Sequence, residues 1–192
     1  MRIACIVEGF GEVEAVPLLI RRIGECCDPP RYPDVPRPIR IPASRLRKSE
    51  ELAKAVQLAA SRAGAGGSVL VLLDADDDCP AEVGPAMLEE VGPRDDVTVS
   101  VVLAKCEFEA WFLAAAESLR GERGLGHDLV SPGDPEGIRG AKEWLRGRMT
   151  GATYSETLDQ PALTARFDLD AARRADSFDK CFREIRRLLG CP

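Results

Sequence analysis

The sequence predicts an α/β fold: a mostly parallel sheet with helices on both faces, followed by a C-terminal helical extension. Three observations point to it. Aliphatic runs alternate with amphipathic helical segments along residues 1–119. The runs RIACIVE, SVLVLLD and VTVSVVLA are apolar nearly throughout, as strands are when both faces of a sheet are covered. From residue 120 onward the strand pattern stops and helical segments take over. Residues 1–119 are therefore expected to form the core, with 120–192 packed on it as part of one structural unit.

Residues 2–8 read as the first strand, ending at Glu8, and a Gly-containing turn follows. VEAVPLLIRRIGECC reads as a helix because Val16, Leu19, Ile20 and Ile23 share one face. Pro17 fits its first turn, where no amide hydrogen is needed. Residues 28–38, DPPRYPDVPRP, form a proline-rich loop, and 38–42 a short edge strand. The helix over 49–63 opens on Ser49 as N-cap and stops at the glycines of GAGG. The strand SVLVLLD leads to a helix over 80–91, with Pro80 near its start. VTVSVVLA, 97–104, is the fourth strand. CEFEAWFLAAAESL, 106–119, reads as a helix whose core stripe is Phe108, Trp111, Phe112, Ala115 and Leu119. Residues 120–137 are rich in Gly and Pro and read as a loop. Helical pieces follow at 138–149, 160–165, 168–175 and 177–189, the last packing Phe178, Phe182, Ile185 and Leu189.

With 192 residues, 45% of them hydrophobic, the chain can bury one sizeable core. No stretch reaches the roughly 18–20 consecutive apolar residues of a membrane helix. MRIACIVEG lacks a signal peptide's long apolar segment, so a cytoplasmic protein without membrane association is expected. The seven cysteines include no CxxC pair, and their odd number and scatter fit reduced thiols. Cys5 and Cys181 fall in apolar patterns. Cys106 lies near acids with no base beside it, which disfavours a catalytic thiol. His127, the one histidine, sits in a Gly-rich loop, leaving no material for a structural zinc site or a His-based triad. The net charge of −6 argues against coating DNA by charge alone. A local basic track exists in RPIRIPASRLRK, 37–48, with five basic residues and no acid. It suits a solvated loop as well as a nucleic-acid contact.

Asp74, Asp76, Asp77 and Asp78 crowd the five residues after the run Val69–Leu73. Like charges this close raise one another's proton affinity, so a cation is expected among them. The first strand ends in acid too: VEGFGEVE contains Glu8, Glu12 and Glu14. Ligands of open α/β sheets bind beyond the carboxyl ends of the strands. If the two strands are neighbours, Glu8 and Asp74 face one crevice. Asp74 and Asp76, two apart on an extended segment, then point to the same side. Such oxygen donors suit Mg²⁺ or Mn²⁺ with room for water and phosphate. Asp77 and Asp78 fit Asx-turn and N-cap roles before the helix at 80. EGFG falls short of a dinucleotide fingerprint, because Glu14 stands where a third Gly is required.

Four pieces in order, VEGFGE (7–12), DAD (74–76), EAW (109–111) and DSF (176–178), resemble an uncharacterised bacterial Toprim-like family, the domain of unknown function four-two-seven-six. The resemblance spans nearly the whole chain. A strand ending in Glu-Gly, followed two strands later by one ending in D-x-D, also resembles the Toprim fold of topoisomerases, bacterial primases, recombination-mediator proteins and OLD-family nucleases. VEGFGE is closer to the OLD-type form. The resemblance implies a Toprim/Rossmann-like sheet and a Mg²⁺-dependent phosphoryl-transfer site. Glu8 would match its general acid or base, Asp74 and Asp76 its metal-binding aspartates, and Glu12 the additional OLD-type acid. Glu109 matches the E-x-W acid, either a second metal position or an acceptor at a helix junction. The expected catalytic set is Glu8, Asp74 and Asp76; the expected metal set is Glu8, Glu12, Asp74, Asp76 and Glu109.

The leading expectation is a nuclease acting on DNA or RNA, with Arg40, Arg45, Arg47, Lys48 and Lys105 holding the nucleic-acid backbone. An ATPase partner protein is implied as well, since some OLD-type relatives carry one in the same chain. No G-x-x-x-x-G-K-[ST] occurs, so the chain is not itself a P-loop ATPase. Two alternatives stay open. One is a phosphatase of the haloacid-dehalogenase type using the D-x-D, although that motif usually lies on the first strand. The other is a non-catalytic partner whose acidic pocket binds a metal or a basic peptide.

Overall fold

A computed structural model describes residues 1–151 and 153–191. Four strands form one all-parallel sheet in the order β2-β1-β3-β4. They are β1 (Ile3–Val7), β2 (Ile39–Arg40), β3 (Ser68–Asp74) and β4 (Thr98–Ala104). Ile3 pairs with Ser68 and Val7 with Leu72; Ser68 pairs in turn with Thr98 and Asp74 with Ala104. Because side chains alternate along a strand, β1 sends Ile3, Cys5 and Val7 into one apolar cluster and Ala4 and Ile6 into another. Helices cover both. α1 (Glu12–Glu25) and α9 (Asp176–Leu188) lie on the first face, α3 (Ser49–Ala63) and α4 (Pro80–Val91) on the second. The aliphatic runs of the sequence are thus the strands of a parallel α/β protein.

Between these come α2 (Ala43–Leu46), α5 (Ala110–Ala114), α6 (Ala141–Arg146), α7 (Glu156–Thr164) and α8 (Leu169–Ala172). The apolar cluster of the first face continues from Ile3 through Trp111 to Phe167 and Leu189 without a break at residue 119. Aromatic rings bind its two halves. Trp111 and Phe178 lie 5.2 Å apart and Phe167 and Phe178 5.4 Å apart, both edge-on, the geometry their ring quadrupoles favour.

Local expectations are corrected in several places. The helix expected over 106–119 is broken: Cys106 has a left-handed φ of 60° and Ala115 leaves helical geometry, after which a 3-10 turn runs Ala116–Leu119. Its stripe, Phe108, Trp111, Phe112, Ala115 and Leu119, is buried all the same. α7 starts at Glu156 rather than 160, and α6 and α8 are shorter than expected. Pro17 lies in the second turn of α1, which begins at Glu12. Ser49 is the first helical residue behind Lys48, not the N-cap, and its hydroxyl donates to Glu90 of α4 at 2.8 Å. Nor are all cysteines free. Cys27 and Cys191 form a disulfide, Cα atoms 5.8 Å apart, joining the end of α1 to the segment after α9. Cys5 and Cys181 are buried thiols, and burial pushes Cys5 up to about 12. Among the described residues, no helix is long and apolar enough to cross a membrane.

Candidate functional site

β1 and β3 are neighbours and run the same way. Glu8, the residue after β1, and Asp74, the last of β3, therefore reach the same edge of the sheet. Glu12 opens α1 and is 3% exposed. Its Oε2 accepts the amides of Glu8 at 2.8 Å and Gly9 at 3.0 Å, so it folds back and fixes the turn. Gly11 has no room for a side chain: a Cβ there would lie 2.2 Å from Gln160 Oε1 and 2.4 Å from the Glu156 carbonyl. α7 thus closes down on the turn. Asp74 Oδ1 accepts the Phe108 amide at 2.8 Å, which draws the next residue, Glu109, into the same place.

Glu109 is fully buried. Its Oε1 accepts from the Tyr154 hydroxyl at 2.8 Å and the Gln160 amide at 3.3 Å. Lys142 Nζ stands 3.9 Å from its Oε2 and 3.1 Å from Glu156 Oε1. Lys142 is thus a cation among the acids. Glu8 Oε2 and Glu109 Oε2 are buried and accept no hydrogen bond. Such atoms are costly unless a proton, water or ion serves them.

The electrostatics follow from burial. It pushes Glu12 and Glu109 each up to about 7. Asp74 rises well above the usual carboxylate range, through burial first and then the charges of Glu12 and Glu109, against Lys142. Glu8 is raised by burial, with the Asp74 backbone and Lys142 opposing and Asp76 adding to the rise. For Lys142, burial acts downward, but Glu109, Asp74 and Glu156 outweigh it and hold the ammonium charged.

Not every expected residue joins this group. β3 ends at Asp74, and Asp76 adopts a left-handed φ of 51° with an exposed side chain. Strand alternation therefore does not place it beside Asp74. It lies at a separate cleft of about 280 Å³ with Asp77, Cys106, Glu107 and Arg139, close enough to raise Glu8. Asp77 and Asp78 pair with Arg139 and Arg47 rather than capping α4, where Cys79 holds the N-cap position without a side-chain bond. Burial pushes the Cys106 thiol up, away from nucleophilic thiolate.

The basic residues are dispersed. Arg45 pairs with Glu51 and Arg47 with Asp78. Arg40 lies over the Phe10 ring and donates to the Glu8 carbonyl at 3.4 Å. Lys48 makes no ion pair among the described residues. Lys105 lines a different groove with Lys180 and Arg183. Behind the site Trp111 Nε1 donates to Ser177 Oγ at 2.8 Å, and Glu136 accepts the Asp176 and Ser177 amides. The EAW and DSF pieces are thereby joined, Glu109 facing the acids and Trp111 facing α9.

Sequence reading missed Lys142, Tyr154, Gln160 and Glu156. Their signal lay only in polar residues within a region set down as loop and short helices.

A parallel α/β sheet with carboxyls and a lysine gathered at adjacent strand ends defines a protein with a buried polar cluster at its strand ends. Residues 7–186 match the family model described as "Domain of unknown function (DUF4276)", and the chain belongs to that family. No curated protein and no solved structure matches it.

Two buried carboxylate oxygens, Glu8 Oε2 and Glu109 Oε2, accept no hydrogen bond, and carboxylate oxygen is the donor type that a hard divalent cation takes. Among the described residues, however, no three His, Cys, Asp or Glu side chains are grouped as a ready-made metal cage. Glu12 is turned to backbone amides, Asp74 to Phe108, and Asp76 to solvent.

Proposed function

We propose that the strand-end site is a Mg²⁺- or Mn²⁺-dependent phosphoryl-transfer centre of the Toprim type, hydrolysing phosphodiester bonds in DNA or RNA. The supporting observation is the pair of donor-less buried oxygens, Glu8 Oε2 and Glu109 Oε2, on carboxyls whose fields converge with Asp74. Glu8 and Glu109 would each offer the ion one oxygen, water would complete its shell, and Asp74 and Asp76 would stand beside it. When bound, such an ion activates water and stabilises the leaving oxygen. Glu8, half-buried with a raised pKa, is suited to carry a proton to or from a reacting oxygen. Glu12 holds the Glu8–Gly9 turn, and Tyr154 and Gln160 orient Glu109. Lys142 offsets the negative charge of Asp74 and Glu109 and is available to a phosphate. Arg40 and Arg47 bring positive charge to the Glu8 rim. The resemblance to OLD-type chains supports an ATPase partner. A haloacid-dehalogenase mechanism has less support: the D-x-D begins at the end of the third strand, not the first, and Asp74 Oδ1 already accepts the Phe108 amide.

The test is cleavage of end-labelled single- and double-stranded DNA and RNA with Mg²⁺ or Mn²⁺. Wild type should cut, and EDTA or Asp74→Asn should stop it. The absence of both cleavage and calorimetric Mn²⁺ binding would overturn the proposal. Mn²⁺ binding without cleavage would favour the non-catalytic metal-binding alternative.

A further inference from the structure

The turn between β1 and α1 carries a side chain that the acidic site does not use. Phe10 lies between Glu8 and Glu12 and is 63% exposed. One exposed apolar residue needs no explanation by itself; Phe10 is set apart by what holds it. The Arg40 guanidinium carbon is 3.9 Å from the ring centroid, so it covers one face by a cation–π stack. The same guanidinium donates to the Glu8 carbonyl. Glu12 fixes the turn on one side, and the close approach of α7 to Gly11 fixes it on the other. The ring is therefore held at a set distance from Glu8 while most of it faces solvent. Arg40 itself makes no ion pair among the described residues, which leaves its charge for a ligand.

We infer that Phe10 and Arg40 form a stacking platform for one unpaired nucleobase, seating a single strand beside Glu8. This rests on the phosphodiester reading above and adds the form of the substrate. Aromatic rings and arginine planes are the surfaces on which splayed bases stack. Stacking tolerates any sequence, because every base has a π face. A base inside a duplex has no free face, so the platform favours single strands, frayed ends and loops. The phosphate next to the stacked base meets Arg40, in a molecule that is otherwise net negative.

The experiment measures binding of labelled oligonucleotides to the full chain in EDTA by fluorescence anisotropy. Single strands, duplexes and single strands with one abasic position moved along the sequence are compared. Phe10→Ala should weaken single-strand binding roughly five- to a hundredfold, the range for losing one base–aromatic stack, and leave duplex binding unchanged. In wild type one abasic position should cost affinity; in Phe10→Ala that cost should vanish. Phe10→Trp should retain binding and lose emission when single strand is added. The inference is overturned if Phe10→Ala binds single strands as wild type does, or weakens duplex and single strand alike. It is overturned equally if the abasic penalty persists in Phe10→Ala, or if the variant's sole change is lost association with another protein. Metal-dependent cleavage that survives in Phe10→Ala with unchanged affinity removes the platform and leaves the catalytic reading standing. A wild-type chain that binds no nucleic acid removes both.

Discussion

Glu109→Gln isolates the cost of burying one carboxyl. Glu109 is fully buried, and burial lifts it from 4.5 to about 7. Between those values the folded chain holds more protons than the unfolded one, so stability must fall as pH rises. The contribution is complete below the unfolded value and is lost as pH climbs through the folded one. At about 1.4 kcal/mol per pKa unit, the shift amounts to roughly 3 kcal/mol. The glutamine of the variant has no proton to lose and still offers an oxygen to Tyr154. Urea unfolding, followed by tryptophan fluorescence in metal-free buffer from about pH 5 to about pH 8, reads the difference. Wild type should lose roughly 2.5 kcal/mol more than Glu109→Gln across that range, the remainder lying below about pH 5. Glu12, raised in the same direction, leaves a residual slope in both proteins; Asp74, raised partly by the Glu109 charge, leaves a shallower one in the variant and adds to the difference. Glu184 does not interfere. Burial acts to raise it, yet bonds from Lys180, Ser100 and Arg187 hold it at about 2, so its contribution fades only in acid below 4.5. Parallel slopes in the two proteins would refute the reasoning.

Ser177→Ala deprives Trp111 Nε1 and the Lys105 amide of their acceptor; at about 1–3 kcal/mol per stranded donor, thermal melting should fall clearly, and an unchanged midpoint would count against this junction. Gly11→Ala would push against Gln160 and the Glu156 carbonyl, so a loss of about 1–3 kcal/mol is expected; a neutral result in urea unfolding would mean that α7 is not seated on the turn. Alkylation of unfolded, unreduced protein should label five of the seven cysteines, and seven labels by mass spectrometry would exclude the Cys27–Cys191 bond. With the bond present, Cys191→Ser should cost about 2–4 kcal/mol.

Much of the fold was legible because parallel strands buried on both faces leave long aliphatic runs. Val69–Leu73 could hardly be anything else, and acid directly after such a run had to sit at a strand end. That was enough to bring Glu8 and Asp74 together once β1 and β3 proved to be neighbours. It was not enough for Asp76, because a single left-handed residue cancels the alternation from which its direction was read. Lys142, Tyr154 and Gln160 were hidden for another reason. Their meaning depends on how the segments after residue 120 fold back, and hydrophobic periodicity says nothing about that. The disulfide, closing over 164 residues, left no local trace either. The broken helix at 106–119 shows the limit from the opposite side: its stripe was read correctly, although the backbone that presents it is only partly helical.

Glu8, Glu12, Asp74 and Glu109 come from the first 109 residues, and Lys142, Tyr154 and Glu156 come later. A chain leaving the ribosome, which folds from its N-terminus as it emerges, therefore builds the negative half first. During that interval Glu12, Asp74 and Glu109 have no ammonium beside them, and Trp111 lacks the cover of Phe178. The nascent sheet must stay wet at its carboxyl ends, with its carboxyls hydrated or protonated, until α6 and α7 arrive. Their docking supplies the cation to the carboxyls, and α9, synthesised last, then covers Trp111 with Phe178. A circular permutant that begins near residue 120 would reverse the sequence of events, synthesising the cation before any of the acids it offsets.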